Sequence, residues 1–227
     1  MPLELTAEMV KEYGLTAGAR VAGIAAAQDF VSAPAGFHPT DVLEGCRSVV
    51  VLGAPIAKEA ILKEDTVGFI DLRTALSKRM DAVAKEVAKQ IRKAGYQVKT
   101  VGGMSGKFVD GMQRGPISLK HAAQLAGLGR IGKNYLLNNP EYGNLLWFSA
   151  VLTDAELPPD PKAQYDFCGG CNRCTEACPA KALDEFAASG TLAKKACSGT
   201  MFKQIDKKWE IVCFQCRKVC PHCFGLQ

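Results

Sequence analysis

The chain has 227 residues, of which 48% are hydrophobic and 22% are charged, and its formal net charge is +5 at pH 7. These values are ordinary for a soluble globular protein of one or two domains. They exclude a membrane-spanning protein, because no apolar run reaches the length of a transmembrane helix. The N-terminus lacks a charged-plus-apolar signal segment, so we expect a cytoplasmic protein whose cysteines are not oxidised to disulfides.

The first fifty residues predict a helix followed by two strands. Thr6 is a suitable cap for a short helix that Gly14 would end. The apolar stretch 21–25 has the character of a strand, and 48–52 is a β-branched run typical of a strand covered on both faces. Cys46, just before the second run, has no cysteine or histidine at ligand spacing, so we predict a buried thiol.

The middle of the chain continues the alternation of helix and strand. Apolar residues recur every three or four positions over 71–94, which predicts a long amphipathic helix closed by Gly95. A strand over 96–101 completes a strand–helix–strand crossover, so we expect a sheet packed by helices. A last apolar strand is predicted over 145–152, and the proline-rich stretch 157–161 is predicted to be a linker.

Three glycines form a G-x-G-x-x-G pattern at Gly127, Gly129 and Gly132. A dinucleotide site needs a strand before such glycines and a helix after them, whereas here a helix is predicted over 118–126. We therefore predict no nicotinamide site. The glycines are expected to let the backbone pass close to a bound group or a neighbouring segment.

Nine of the ten cysteines lie in the last sixty residues. They form a C-x2-C-x2-C-x3-C-P run that begins at Cys168, and its C-x2-C-x3-C-P ending returns at Cys213. In bacterial ferredoxins such a run binds one four-iron cluster through three close thiolates, and its fourth cysteine reaches another cluster. We therefore predict two [4Fe-4S] clusters with crossed ligands. The first cysteine set is Cys168, Cys171, Cys174 and Cys220, and the second cysteine set is Cys178, Cys197, Cys213 and Cys216.

Other interpretations of the cysteines are less consistent with the spacing. Structural zinc favours two C-x2-C pairs, and paired clusters that only brace the fold are costly for a chain of this length. Two oxidised clusters with their eight thiolates add −4 to the formal charge of +5, which leaves about +1. The charge therefore gives no support for a nucleic-acid partner.

Several polar residues of the sequence are predicted to have structural or solvated positions. His38 and His121 are each expected to cap a helix or face solvent, and His222 and Cys223 are not needed as ligands because eight cysteines complete two clusters. Basic residues crowd the cysteine-rich part, where their charge would raise the reduction potential of a nearby cluster and could dock an acidic electron donor, or where they form a solvated face. These residues are Lys194, Lys195, Lys203, Lys207, Lys208, Arg217 and Lys218.

The order of these motifs resembles that of epoxyqueuosine reductase and the related reductive dehalogenases. The matching segments are 127–134, 139–140, 142–143, 152–154 and the two cysteine runs, with further similarity at 21–25 and 45–53. The resemblance covers nearly the whole chain. It implies an α/β domain of the flavin-reductase-like type that holds a cobalamin, and clusters that pass electrons to the corrinoid, which reduces the substrate.

The resemblance also implies a cofactor pocket, with one departure from the family. When Pro116 is placed on the proline of the family's Asp-Ser-Ala-Pro element, Gln113 occupies the position of the catalytic aspartate. An amide does not donate a proton as a carboxylic acid does, and Asp110 would replace it only in a shifted register, so no catalytic residue is assigned. The candidate cofactor-binding residues are Gln113, Gly127, Gly129, Gly132, Lys133 and Asn134.

Together these observations predict an α+β protein. Residues 1–160 are expected to form the α/β domain for a cofactor or substrate, and 161–227 a ferredoxin-like domain with two clusters. The predicted function is an oxygen-sensitive oxidoreductase that receives electrons from a redox partner protein, with cobalamin as one candidate cofactor. The alternative is a ferredoxin-type electron carrier without catalysis of its own. The family's tRNA-modifying members continue into helical repeats, and because the sequence ends at Gln227 we expect a short form without them.

Overall fold

The structure, a computed structural model, describes residues 5–63, 67–109, 112–184 and 193–226, with the backbone alone at 107–109 and 112–113. Its helices are α1 (Ala7–Thr16), α2 (Pro39–Val42), α3 (Lys58–Leu62), α4 (Phe69–Lys93), α5 (Leu119–Leu125), α6 (Arg173–Glu176), α7 (Lys194–Met201) and α8 (Gln215–Lys218). Its strands are β1 (Val21–Ala26), β2 (Ser48–Pro55), β3 (Val98–Val101), β4 (Lys107–Val109), β5 (Met112–Arg114), β6 (Arg130–Ile131), β7 (Leu137–Asn138), β8 (Leu146–Thr153), β9 (Phe202–Ile205) and β10 (Lys208–Ile211).

The chain divides into two compact units that interleave along the sequence. The first unit consists of Met1–Ala54, Leu76–Gly129 and Trp147–Gln164, and the second of Pro55–Ala75, Arg130–Leu146 and Tyr165–Gln227. The second unit thus combines the cysteine-rich part with two earlier segments. The predicted division into 1–160 and 161–227 stays a prediction.

The main sheet has the strand order β1-β2-β8-β3. β1 pairs with β2, and β3 with β8, in antiparallel register. At the start of β2 the amide of Arg47 donates to the carbonyl of Thr153 at the end of β8, so these two strands are antiparallel as well. β2 and β3 therefore run in the same direction with β8 between them. The predicted crossover through α4 is present, but the two strands that it connects are not neighbours, because β8 lies between β2 and β3.

The first predicted elements are confirmed, with a correction at the first helix. Thr6 caps α1, because its side chain accepts a hydrogen bond of 3.2 Å from the amide of Met9. The prediction that Gly14 ends the helix is wrong, since α1 continues to Thr16. Gly14 lies inside the helix, where a Cβ would collide with Leu52 of β2. Gly14 therefore allows α1 to pack closely against β2 and does not end the helix.

The core of the first unit lies where α4 packs against the sheet. All residues of β2 except the last are buried, as predicted for a strand covered on both faces. The apolar positions of the long predicted helix from Leu76 onward are buried as well, and Met80, Val87 and Ile91 are fully so, whereas Leu72 is exposed. Burial of each such side chain stabilises the fold by about 1.5–3 kcal/mol. Gly95 follows the helix with φ of 96°, which confirms the predicted helix end.

The segment after α5 excludes a dinucleotide-binding turn. A helix precedes the glycines, as predicted, and the short β6–β7 hairpin follows them where such a site needs a helix. The predicted linker is well anchored in the first unit. The Asp160 carboxylate accepts hydrogen bonds from the amide of Ile24 at 2.8 Å and from the Lys11 ammonium at 2.7 Å. In the part of the chain that the structure describes, none of the helices is long and apolar enough to cross a membrane.

Candidate metal centre

The four residues of the first cysteine set line one cavity in the second unit. Its empty volume is about 340 Å³, and its other lining residues include Asn134, Asn138, Phe167 and His222. Cys220 comes from the later run and the other three cysteines from the earlier one, so the structure brings together the set that the spacing assigned to one cluster. Their ligation of iron stays a prediction.

The turn of the β6–β7 hairpin holds the loop that carries the first cysteines. The amide of Lys133 donates to the Cys168 sulfur at 3.3 Å. The Lys133 ammonium donates to the carbonyls of Gly169 and Cys171 and to Oδ1 of Asn172, at 3.3, 3.0 and 2.9 Å. One residue therefore donates to a predicted ligand sulfur and braces the backbone around it, as outer residues of metal sites do.

Asp166 shapes the same loop from its N-terminal side. Its carboxylate accepts hydrogen bonds from the amides of Cys168 and Gly169 at 2.9 and 3.2 Å. These backbone hydrogen bonds, chiefly that of Cys168, lower the pKa of the Asp166 carboxyl below its usual value. The ionised carboxylate thus fixes the direction in which the Cys168 side chain leaves the loop.

Asn144 and Arg217 form a second support beside the first cysteine set. Asn144 follows the family-like turn at 142–143 and is 2% exposed. The Arg217 guanidinium donates to its backbone carbonyl and, at 3.0 Å, to its Oδ1. Burial lowers the pKa of Arg217, and the thiols of Cys216 and Cys223 oppose that effect. Arg217 was expected on a solvated or docking face, and the structure instead turns it inward.

Three members of the second cysteine set lie near one another. Burial raises the pKa of the Cys216 thiol to about 11, Arg217 opposes the increase, and the nearby thiols of Cys197 and Cys213, with Cys174 of the first set, add to it. Cys197 lies on α7 and Cys216 on α8, with the β9–β10 hairpin between these helices in the sequence. Cys178, the fourth member, follows α6 and is half-buried. Its place beside the other three stays a prediction.

The candidate cofactor-binding residues are divided between the two compact units. Gly127 lies in the first unit with φ of 73°, and a Cβ there would collide with the carbonyl of Pro161. Gly132 lies in the second unit, where the corresponding space is filled by Asn138 and Cys168. Both glycines therefore let the backbone pass close to a neighbouring segment, and their role in cofactor binding stays a prediction.

The remaining candidates belong to the cysteine cavity or lie beyond the described side chains. Lys133 and Asn134 adjoin the first cysteine set, and Oδ1 of Asn134 accepts a hydrogen bond from the amide of Leu136 at 3.1 Å. Gly129 precedes β6 in the first unit with φ of 157°. Gln113 pairs with Phe108 in the β4–β5 hairpin, but its side chain lies outside the described residues, as does Asp110.

The other predicted polar residues have structural positions. The Nδ1 of His38 accepts a hydrogen bond from the amide of Thr40 and caps α2, and Nδ1 of His121 lies 2.7 Å from the Ser118 hydroxyl at the start of α5. Cys46 is buried, and burial raises the pKa of its thiol to about 11. All ten cysteines lie in the described part of the chain, and none of them forms a disulfide.

The first cysteine set fits a [4Fe-4S] cluster on geometric grounds. Among the described residues, no three His, Cys, Asp or Glu side chains come together as a group that could hold a single metal ion. The four thiols instead surround a cavity. Two buried polar atoms beside them, Nδ2 of Asn144 and Oγ1 of Thr175, have no hydrogen-bond partner within the described structure. The sulfurs of a cluster accept such hydrogen bonds, so the site offers both the ligands and the donors.

Sequence reasoning missed Asp166, Asn144 and the inward position of Arg217. One signal was present in the sequence. Four asparagines occur between residues 134 and 144, and all four are buried although asparagine is usually exposed. They are Asn134, Asn138, Asn139 and Asn144. A group of buried amides next to a cysteine run indicates a polar site that needs hydrogen-bond donors.

Comparison with known proteins gives a consistent relationship. No family model matches the chain. Epoxyqueuosine reductase from Cyclobacterium marinum is 30% identical over 192 residues, which are 81% of this chain and 60% of that protein. The enzyme of the same name from Gloeobacter violaceus is 31% identical over 198 residues, or 79% of this chain and 57% of that protein. The chain is a relative of epoxyqueuosine reductases. It spans about 60% of the length of these curated relatives.

Solved structures of these reductases show the same fold. Epoxyqueuosine reductase from Streptococcus thermophilus has a TM-score of 0.68 at 21% identity, over 97% of this chain and 66% of that one. A reductive dehalogenase, described with a mechanism for B12-dependent dehalogenation, has a TM-score of 0.63 at 20% identity, over 93% of this chain and 28% of that one. The suspected resemblance to both groups is thereby confirmed, and the mixed helix-and-sheet fold with it.

Proposed function

We propose that this relative of epoxyqueuosine reductases is an oxidoreductase that passes electrons through two [4Fe-4S] clusters to a cofactor or substrate in its α/β part. The cavity lined by the first cysteine set carries the proposal, because it joins two distant cysteine runs in the combination that the crossed spacing requires. The reductase names of the sequence relatives support the reaction class.

In this function the protein supplies ligands, hydrogen bonds and charge. The thiolates of the first cysteine set hold one cluster and those of the second set the other, while Lys133 and Asp166 keep the first loop in shape. A bound [4Fe-4S] cluster supplies reversible one-electron transfer. Zinc would instead favour two C-x2-C pairs, which the spacing of the two runs does not provide.

Metal analysis of anaerobically purified and reconstituted protein tests the proposal. We expect about eight irons and eight sulfides per chain, with the absorption and electron paramagnetic resonance (EPR) of [4Fe-4S] clusters. Four irons or fewer after reconstitution, or zinc in their place, would overturn it. The spectra are expected to fade in air, because the predicted clusters are oxygen-sensitive.

The alternative function is an electron carrier without catalysis of its own. Titration of the loaded protein with hydroxocobalamin and, separately, with FMN distinguishes the two. One organic cofactor bound per chain supports the reductase, and no binding at saturating concentration supports the carrier. The glycines at 127 and 132 give no support to a corrinoid site, since protein atoms fill the space beside them.

Nucleic-acid binding needs a separate test. One structural relative, at 20% identity with a TM-score of 0.62, is an epoxyqueuosine reductase solved with an epoxyqueuosine-modified tRNA stem loop. The formal charge of about +1 that remains after two clusters bind argues against tight binding of such a stem loop to this chain. We expect no saturable binding at 150 mM salt, and a micromolar complex would overturn this part of the proposal.

A further inference from the structure

Along the chain, Arg217 lies between a ligand of one predicted cluster and a ligand of the other. It follows Cys216 of the second cysteine set directly and precedes Cys220 of the first set by three residues, on the short helix α8. Its neighbour Lys218 is exposed and donates to the carbonyl of Lys63 at 3.1 Å. Arg217 instead directs its guanidinium to Asn144. Two adjacent basic residues therefore have different environments, so proximity to the cysteines alone does not explain the position of Arg217.

The orientation of the Asn144 amide follows from its contacts. Its Oδ1 accepts the Arg217 hydrogen bond and lies 3.5 Å from the Cys223 sulfur, and its backbone amide donates to the Cys223 carbonyl at 3.1 Å. Gly143 permits this approach, because a Cβ there would collide with the carbonyls of His222 and Cys223. With Oδ1 occupied, Nδ2 must point elsewhere.

The Nδ2 of Asn144 is buried and has no hydrogen-bond partner within the described structure. A buried N–H group without an acceptor is costly, so such a group in a native site needs an explanation. Cys220 provides one. The amide of Cys223 donates to the Cys220 carbonyl at 3.0 Å, and Asn144 contacts Cys223 through its own amide, so Asn144 lies against the turn that carries Cys220. A ligand sulfur at Cys220 is therefore a suitable acceptor for Nδ2.

We propose that Arg217 and Asn144 act as a positioning pair that raises the reduction potential of the bound clusters. Arg217 orients the amide so that Nδ2 donates to the Cys220 sulfur, and its own charge favours the added electron on both clusters. Guanidinium is permanently charged and more weakly hydrated than ammonium, which suits a charge held away from water. Hydrogen bonds to sulfur and nearby positive charge both stabilise the reduced form. This inference rests on the proposed function.

Redox titration of the loaded full-length protein, followed by EPR, tests the pair. With Arg217→Gln we expect both midpoint potentials to fall. At the wild-type midpoint the ratio of reduced to oxidised cluster is expected to drop about tenfold, or about 59 mV for a one-electron couple. With Asn144→Leu, which removes the donor at similar volume, one potential falls and the other stays. Arg217→Lys, which keeps the charge and loses the forked geometry, is expected to show an intermediate shift.

Lys218→Gln is the matched control, because it removes an adjacent positive charge that is exposed. We expect it to shift the potentials much less than Arg217→Gln does. Equal shifts in the two variants, or unchanged potentials in Arg217→Gln with full iron content, would overturn the inference and leave the proposed function standing. If Arg217→Gln fails to assemble clusters, the midpoint potentials of Asn144→Leu and Arg217→Lys test the inference in its place. A wild-type protein without clusters would overturn both proposals, before any variant is compared.

Discussion

The two cysteine sets differ in the kind of support that they receive from the protein outside the cysteine runs. The first set is held by Lys133, by Asp166 and by the Asn144 loop, and its four thiols surround one cavity. In the second set, Cys197, Cys213 and Cys216 approach one another, and the segments joining them are the β9–β10 hairpin and two short helices. Residues 185–192, between Cys178 and Cys197, lie outside the described part of the chain.

The first ligand loop is thus held by directional hydrogen bonds, whereas the second set is supported by packing, since the rings of Phe214, between Cys213 and Cys216, and Phe69 lie 4.4 Å apart between centroids. Lys133 and Asn144 belong to segments that precede the cysteine runs but lie in the same compact unit. A preorganised site loses less conformational entropy when it binds its ligand. We therefore expect the first cluster to assemble at lower iron concentration and to be released more slowly.

The largest expected effects come from pairs of cysteine substitutions, which test whether the ligands are crossed. Cys220→Ser combined with Cys168→Ser removes two ligands of the same predicted cluster, so about four irons are expected to remain. Cys220→Ser combined with Cys213→Ser removes one ligand from each cluster, so both are expected to be lost or severely weakened. Iron and sulfide analysis with EPR measures the outcome. If the first pair abolished both clusters while the second pair spared one, the ligands would be uncrossed.

The next effect concerns the support of the first site by Lys133. Lys133→Met removes three hydrogen bonds from an ammonium that is only partly shielded, so we expect the stabilisation of the first cluster to fall by about 1 kcal/mol. This corresponds to a roughly fivefold faster release of the iron of that cluster, which is half of the total. Release to a ferrous chelator under anaerobic conditions measures this, as two kinetic phases. The control Lys203→Met, on β9, should leave the phase that Lys133→Met accelerates unchanged. If Lys133→Met accelerated both phases, Lys133 would not support the first site alone, and the prediction would be wrong.

The sequence grouped the four cysteines that line the cavity, but it did not predict their surroundings. Cysteine spacing reflects the local geometry of a ligand loop, so the first set could be grouped without a structure. Asn144 and Lys133 depend on contacts between distant segments, which spacing does not encode. Gly14 shows the same limit, because its packing against Leu52 depends on the tertiary fold and not on helix-ending preference. Arg217 was misjudged because basic residues near a site are more often solvated than buried.

A smaller effect is expected from the hairpin that joins Cys197 to Cys213 in the second site. Lys207 lies in its turn, Lys208 begins β10, and Trp209 beside them is 61% exposed. If this surface docks an acidic electron donor, Lys207→Glu with Lys208→Glu should slow cluster reduction by a reduced acidic ferredoxin about threefold at low salt, since charge complementarity mainly affects association. The difference should vanish at high salt. Reduction by dithionite is the control, and equal rates with ferredoxin would identify a solvated face.

Cys46 provides the smallest expected effect, because it lies in the first unit and belongs to neither cysteine set. Burial raises the pKa of its thiol to about 11, so at pH 8 only about one molecule in a thousand carries the reactive thiolate. In the loaded protein, iodoacetamide at pH 8 is expected to leave the Cys46 peptide unmodified, and labelling should increase as the pH rises toward 11. Unfolding in denaturant should make it fully reactive, and peptide mass spectrometry measures both states. Because the thiol makes no contribution to either cluster, Cys46→Ala should retain about eight irons. A loss of iron in that variant would mean that the first unit supports the clusters as strongly as the Asn144 loop does. The different support of the two cysteine sets could then no longer be explained by the contacts next to each set.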